Sequence, residues 1–210
     1  MKDIPFFTTE YGVASLSLKE IPYRQEAYIH IQDTAQPEQL LQECITFCRM
    51  CGAEHIYATG HPFLESYPLH TAVLEMRGVA KAEGAACLWP VTAENAAQWR
   101  QIYQEKMAAV DTAATLTSAD EQRLVASAGA CFVHDGARLL GIGWLEDGVL
   151  LAIASVVQGA GSRVLQAVLS LAQGQSVSLE VASTNEKAIR LYERHGFIKT
   201  KELRRWYCVN

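Results

Sequence analysis

Leu179-Glu180-Val181-Ala182-Ser183-Thr184-Asn185-Glu186-Lys187-Ala188-Ile189-Arg190-Leu191-Tyr192-Glu193-Arg194-His195-Gly196-Phe197 is the stretch that decides how this chain folds. Val177–Ala182 has the apolar character of a buried strand. Asn185 is among the best residues for opening a helix. Ala188, Leu191 and Tyr192 then fall on one face of that helix. Gly196 suits the left-handed position that ends a helix, and Phe197 begins a strand running to Val209. Glu180 breaks the pattern, because a charge in the middle of an apolar strand needs a reason.

Immediately upstream, Gln158-Gly159-Ala160-Gly161-Ser162-Arg163 joins a strand at Val149–Val157 to a helix carrying Val164, Leu165, Val168, Leu169 and Ala172 at helical spacing. Glycines let a backbone come close to a ligand. The first amides of a helix have no partner within it and attract anions. Two plainer readings stand beside this one: the glycines only turn the chain, and Ser162 is only a helix cap. No Gly-Lys-Ser/Thr follows, so the loop is not a P-loop, and it does not match the dinucleotide glycine pattern.

Further out, Cys87–Val91 reads as a strand, and Thr92 opens a helix reaching about Val110. Ser118-Ala119-Asp120-Glu121 has the form of a capping box. Two turns, His134-Asp135-Gly136 and Glu146-Asp147-Gly148, separate strands at about Ala130–Val133, Arg138–Leu145 and Val149–Val157. Residues 78–86 are poor in large apolar side chains and read as a linker. Residues 1–77 read as strands at Ile4–Thr9, Val13–Leu18, Ala27–Ile31, His55–Ala58 and His70–Glu75, around one helix from Pro37 to Gly52.

The run from Glu180 to Phe197 resembles the GNAT N-acetyltransferase family: a strand, an Asn opening a helix, an Ala three residues on, then Leu-Tyr and Gly-Phe. The upstream loop is similar to that family's acyl-carrier loop through Gln158 and Gly161. Arg163 departs from it, standing where a small residue is usual. The resemblance spans residues 87–210 and implies an α/β (α+β) fold. Its sheet is mixed and mostly antiparallel, flanked by helices and preceded by a smaller αβ domain.

It also implies transfer of an acetyl group from acetyl-CoA to a primary amine by direct attack. By resemblance, the loop Gln158, Gly159, Ala160, Gly161, Ser162 and Arg163 would hold the coenzyme's pyrophosphate. Ala154, Ser155, Val156 and Val157 would line its pantetheine arm, and Asn185 would contact that arm. Tyr192 would protonate the departing thiolate, as suits a phenol with an ordinary pKa of about 10. The Leu-Glu-Val arrangement, with Asn five and Tyr twelve residues after the Glu, resembles the RimI-type protein N-terminal acetyltransferases. There Glu180 would be the general base, directly or through water. The bland readings remain open: a cap for Asn185, packing for Tyr192 and a solvent-facing carboxylate for Glu180. Glu146 and Asp147 are alternative bases. A non-catalytic acyl-CoA-binding or regulatory module on the same fold is the rival function, with Arg163 its best support.

Residues 1–77 weakly resemble an incomplete copy of the same architecture without its acyl-carrier loop. They are expected not to catalyse; widening the sheet, walling the acceptor site and homodimerisation are their open roles. Trp144, Trp206 and Tyr207 are expected to be core residues or acceptor-pocket walls, and His134 and His195 are expected at turn and helix ends. Cys44, Cys48 and Cys51 have the Cys-x₃-Cys-x₂-Cys spacing of a radical-SAM cluster. They share one helix face with Leu40, Leu41 and Phe47, however, so they read as core, and no metal is expected.

The bulk composition narrows the rest. A net charge of −5 argues against a dedicated nucleic-acid binder, and no apolar run is long enough for a bilayer. Met1–Glu10 lacks the pattern of a secretory signal. Six cysteines in 210 residues are sparse for a disulfide scaffold, so a cytoplasmic setting is expected. The acceptor, a small molecule or a peptide amine, is not legible.

Overall fold

The computed structural model describes residues 3–81 and 86–209. These form two compact units, one of Met1–Val73 with Glu202–Asn210 and one of Leu74–Lys201.

In the first unit, β1 (Ile4–Thr9), β2 (Gly12–Ser17) and β3 (Glu26–Thr34) form an antiparallel meander, with the short helix α1 (Ile21–Arg24) before β3. Helix α2 (Pro37–Met50) carries the chain across to β4 (His55–Thr59), which runs parallel to β3. The C-terminal strand closes on β4, with Tyr207 opposite Ala58. Leu40, Leu41, Cys44, Ile45 and Cys48 turn one face of α2 onto Leu16, Ile29, Ile31 and Ile56. Burying such side chains stabilises by roughly 1.5–3 kcal/mol each. Tyr28, Tyr57, Val73 and Trp206 form a separate cluster, with Trp206 edge-on to Tyr28 at 5.0 Å.

The second unit runs through the end of β5 (Leu69–Val79), then β6 (Cys87–Pro90), α3 (Ala96–Met107), α4 (Glu121–Ala126), β7 (Ala130–Asp135) and β8 (Arg138–Glu146). It continues with β9 (Val149–Ser155), α5 (Gly161–Leu169), β10 (Ser176–Ala182), α6 (Glu186–Arg194) and the start of β11 (Ile198–Cys208). Strands lie in the order β5-β10-β9-β8-β7-β6. β6 to β9 pair antiparallel, and β9 pairs parallel with β10. Strand alternation divides the core into two layers. Cys131 and Val133 of β7 pack with residues of α5 and α6, whereas Phe132 packs with Trp99 of α3 and with Ile142 and Trp144. The mixed, mostly antiparallel sheet between helices is the fold class expected.

Several boundaries fall elsewhere than the sequence indicates. Residues 77–79 continue strand β5, and the units divide at Val73/Leu74, not at 77/78. The stretch looked like a linker because its inward side chains are small. Leu74, Met76 and Ala80 nevertheless pack in the α5–α6 layer, and a Cβ on Gly78 would lie 2.9 Å from the Phe197 ring. Of the expected linker, residues 82–85 lie outside the described residues. The unit holding the C-terminal fold gives up Glu202–Asn210 to the first unit. The capping box forms one residue early, between Thr117 and Asp120, followed by a 3₁₀ turn and then α4. Helix α3 starts at Ala96 and not at Thr92.

Candidate active site

Parallel β9 and β10 keep register only at Val149 opposite Ser178 and Leu150 opposite Leu179. A register shift lies at the same level on the other edge of β9. Leu145 of β8 faces Leu150, but Trp144 faces Ala152, so Leu151 is one residue too many. A bulge of this kind bends a strand and sharpens its twist. Beyond Leu150 the two strands part, leaving an edge of β9 that no strand of the unit covers among the described residues.

β9 leads from there into the glycine loop. Ala154 is buried in the α3 layer, Ser155, Val156 and Val157 are half-buried, and the Val156 N–H donates to Leu140 O at 2.9 Å. Gln158 and Gly159 are exposed, and Gly159 has φ +80°, a conformation that favours glycine. Ala160 is buried and precedes the first residue of α5, Gly161; Gly161 and Ser162 are half-buried. No side chain caps this helix, so the capping role open to Ser162 is not taken. Its first amides face outward with the positive end of the helix dipole. Gly143 of β8 holds the helix close, since a Cβ there would overlap the Val168 side chain, and a Cβ at Gly141 would overlap Ala154 O of β9.

Arg163, the irregular position, forms an ion pair with Asp135 at 2.7 Å, both side chains about half exposed. Its charge is directed at the β7–β8 turn. The side chain leaves through solvent toward Asp135 and away from the loop.

From β10 the chain passes to α6. The Ala188 N–H donates to Asn185 Oδ1 at 3.2 Å, so Asn185 is the N-cap, and its Nδ2 points to no protein acceptor among the described residues. Tyr192 and Ile189 are the buried residues of α6, with Ala188 and Leu191 packed beside them. Tyr192 lies 6.0 Å from the Phe197 ring, and burial pushes its phenol up to about 12. At neutral pH it is therefore a proton donor. Gly196 ends the helix at φ +84°. Glu180 is exposed. Its neighbours Leu179 and Val181 belong to the α5–α6 layer, so alternation turns Glu180 to the opposite face, the one on which α3 packs.

Glu146 and Asp147 stand at the far end of β9, where Asp147 (φ +49°) and Gly148 (φ +75°) make the hairpin turn. They are removed from the parting of β9 and β10. Trp144 is core, its Nε1 donating to Ser127 Oγ at 3.0 Å. Trp206 and Tyr207 belong to the first unit. His134 stacks on Trp89, and His195 follows the last turn of α6. Cys44 and Cys48 are buried on α2, and burial raises both thiols to about 12, which suits core residues and not thiolate ligands. All six cysteines are free. Among the described residues no helix is long and apolar enough to cross a membrane.

Sequence reasoning passed over Glu75. It is buried, accepts from Arg77 through Nε at 2.6 Å and NH2 at 3.1 Å, and takes further contacts from Thr200 Oγ1 at 3.0 Å and Lys201 Nζ at 3.3 Å. These donors hold its carboxyl down to about 2. The signal in the sequence was Glu-x-Arg on a strand, which places both side chains on one face.

Residues 82–197 match the sequence model of the acetyltransferase (GNAT) family. The chain belongs to that family. The matched residues include the parted strands, the uncapped helix and the Asn-capped α6, and the match ends at Phe197, where α6 gives way to β11. No curated protein sequence matches the chain. Among solved structures, a conserved protein of unknown function from Staphylococcus epidermidis superposes with a TM-score of 0.60 at 13% identity, covering 99% of this chain and 94% of that one. A GCN5-related N-acetyltransferase from Sphaerobacter thermophilus gives 0.56 at 10% identity, over 93% of this chain and 75% of that one. A putative acetyltransferase from Pyrococcus horikoshii gives 0.58 at 10% identity, over 95% and 70% respectively. Identities this low speak for the fold alone.

Proposed function

We propose that the chain transfers an acetyl group from acetyl-CoA to a primary amine, on a small molecule or a peptide, in a reducing cytoplasmic setting. The observation that carries this reading is the parting of β9 from β10 beside an uncapped helix. It provides an open strand edge for the amide-rich pantetheine arm, and outward-facing amides at the start of α5 for the pyrophosphate. Ala154 to Val157 would supply the first, and Gln158 to Arg163 the second. Asn185 has its Nδ2 left to donate to the arm while Oδ1 caps the helix.

Glu180, in contact with water, would take the proton of the attacking amine directly or through a bridging water. A positioned base of this kind contributes about 10²–10⁴-fold in rate. Tyr192 would return a proton to the departing thiolate, which its raised pKa favours by keeping the phenol neutral. The reading of a non-catalytic module loses its best support, since Arg163 is engaged with Asp135 and leaves the loop amides alone.

The test is release of coenzyme thiol in a broad amine screen, with Tyr192→Phe beside the unchanged chain. The variant is expected to lose roughly 10²-fold or more in turnover with little change in acetyl-CoA affinity. Full turnover would remove Tyr192 from the mechanism. The pH profile offers a second check. A phenol titrating near 12 produces no alkaline loss of activity around pH 10, where an unperturbed tyrosine would.

A further inference from the structure

The face of the sheet that carries Glu180 holds other charges for which the proposed reaction has no use. They come from β5 and β11, outside the residues that match the family.

The register between β5 and β10 follows from their shared end. The Ala80 N–H donates to Gln175 O and the Gly174 N–H donates to Ala80 O, both at 2.9 Å, with Gly174 at φ +78°. This is a bulge with glycine in the left-handed position, after which Ala80 stands opposite Gln175. Counting back along the antiparallel pair sets Met76 beside Leu179 and Leu74 beside Val181. All four belong to the α5–α6 layer, as correct register requires. The same count sets Glu75 beside Glu180 on the other face. Cross-strand neighbours lie about 4.5–5.5 Å apart at Cβ, and Arg77 is then a diagonal neighbour of Glu180 at about 7–8 Å.

Two carboxylates side by side repel unless cations intervene. Here Arg77 and Lys201 both bind Glu75, and their side chains are 56% and 57% exposed above a carboxylate that is only 10% exposed. One anion and two cations leave a single positive charge on the surface. Glu75 occupies two of the five guanidinium N–H donors and one of the three ammonium donors, so both cations keep donors for a further anion. Beside this positive patch stands the exposed carboxylate of Glu180.

We infer that the acceptor is a compact zwitterion, a primary amine with a carboxylate a few bonds away. Its amine meets Glu180 and its carboxylate meets Arg77 and Lys201. This rests on the reading of Glu180 as the acceptor-side base. Glu75 is a positioning residue: it aims the two cations and does not itself touch substrate. The site selects against plain amines because they leave the patch uncompensated, and against polyamines because they add charge to it.

The experiment compares each of the twenty standard amino acids with its α-amide and its decarboxylated amine on the full chain, with free coenzyme A for binding and acetyl-CoA for turnover. Calorimetry reads binding, and thiol release reads turnover. At least one free amino acid is expected to bind roughly tenfold or more tighter than its carboxylate-free partners, the loss expected for a charge-assisted contact. Lys201→Met, at an exposed position, is expected to remove most of that preference, weakening the free amino acid roughly tenfold more than the decarboxylated amine. Arg77→Met combined with Glu75→Gln, which avoids a buried unpaired carboxylate, is expected to do the same. Equal binding of acids and amines, no binding of any amino acid, or an equal loss for both classes in Lys201→Met would overturn the inference. Carboxylate-dependent binding without thiol release would instead sustain the inference and sink the catalytic reading. Turnover indifferent to the carboxylate would do the reverse.

Discussion

The chain builds the same motif twice, strand–helix–parallel strand, and only one copy opens. In the first unit β3 and β4 stay paired from Glu26 opposite His55 to His30 opposite Thr59. In the second, β9 and β10 hold two pairs and part. Both leading strands carry an extra residue on their far edge. On β3 it is Gln32, since Val13 faces Asp33 and Ala14 faces Ile31, and it comes after the pairing with β4 is complete. On β9 it is Leu151, directly after the last pair. The helices differ as well. α2 begins with Pro37, which has no N–H to offer an anion, whereas α5 begins with Gly161 and Ser162, which do. The placement of one residue and the identity of another separate a closed crossover from an open one, where the coenzyme site is proposed.

The comparison breaks most sharply if Leu151 is deleted. Trp144 would then face the residue next to the Leu145 partner, alternation along β9 would be regular, and β10 could zip on. The chain is expected to fold, with slower amide exchange on β10, and to lose acetyl-CoA binding by on the order of 100-fold in calorimetry. Unaltered binding would show that the bulge is not what opens the strands.

A smaller effect is expected at Asn185, which serves both the helix and the proposed coenzyme contact. Asn185→Ala should cost about 1 kcal/mol of stability through the lost cap. Asn185→Asp should keep the cap and restore the melting temperature. If Asp also restores coenzyme affinity, the Nδ2 contact is dispensable. The smallest effect is expected from Arg163→Ala. Its ion pair with Asp135 is half exposed, and such pairs contribute about 0–1 kcal/mol. Acetyl-CoA affinity should be unchanged, and a tenfold loss would mean that Arg163 itself reaches the coenzyme.

What the sequence revealed depended on how local the cause was. The strand Ile4–Thr9, the helix beginning at Pro37 and the Asn185–His195 helix ended by Gly196 follow from short-range signals, and each lies where those signals put it. The capping box missed by one residue because Thr117, Ser118 and Asp120 all suit a cap, and only the packed turn decides which hydroxyl reaches. The start of α5 was hidden because backbone amides, and no capping side chain, mark it. The bulge at Leu151 and the approach of Glu75 to Glu180 arise from strand register, which no stretch of sequence contains by itself. The same is true of Arg77–Val79, which resembled a linker because Gly78 must be small to admit Phe197.

One feature of the chain path bears on how such a protein can change over generations. β5 leaves the first compact unit at Val73 and β11 returns to it at Glu202, each without a break in the strand. A genetic exchange that replaced either unit would have to cut through two strands. The units therefore descend most readily as one piece, and the acceptor patch proposed on β5 and β11 is altered more readily by point changes than by swapping parts.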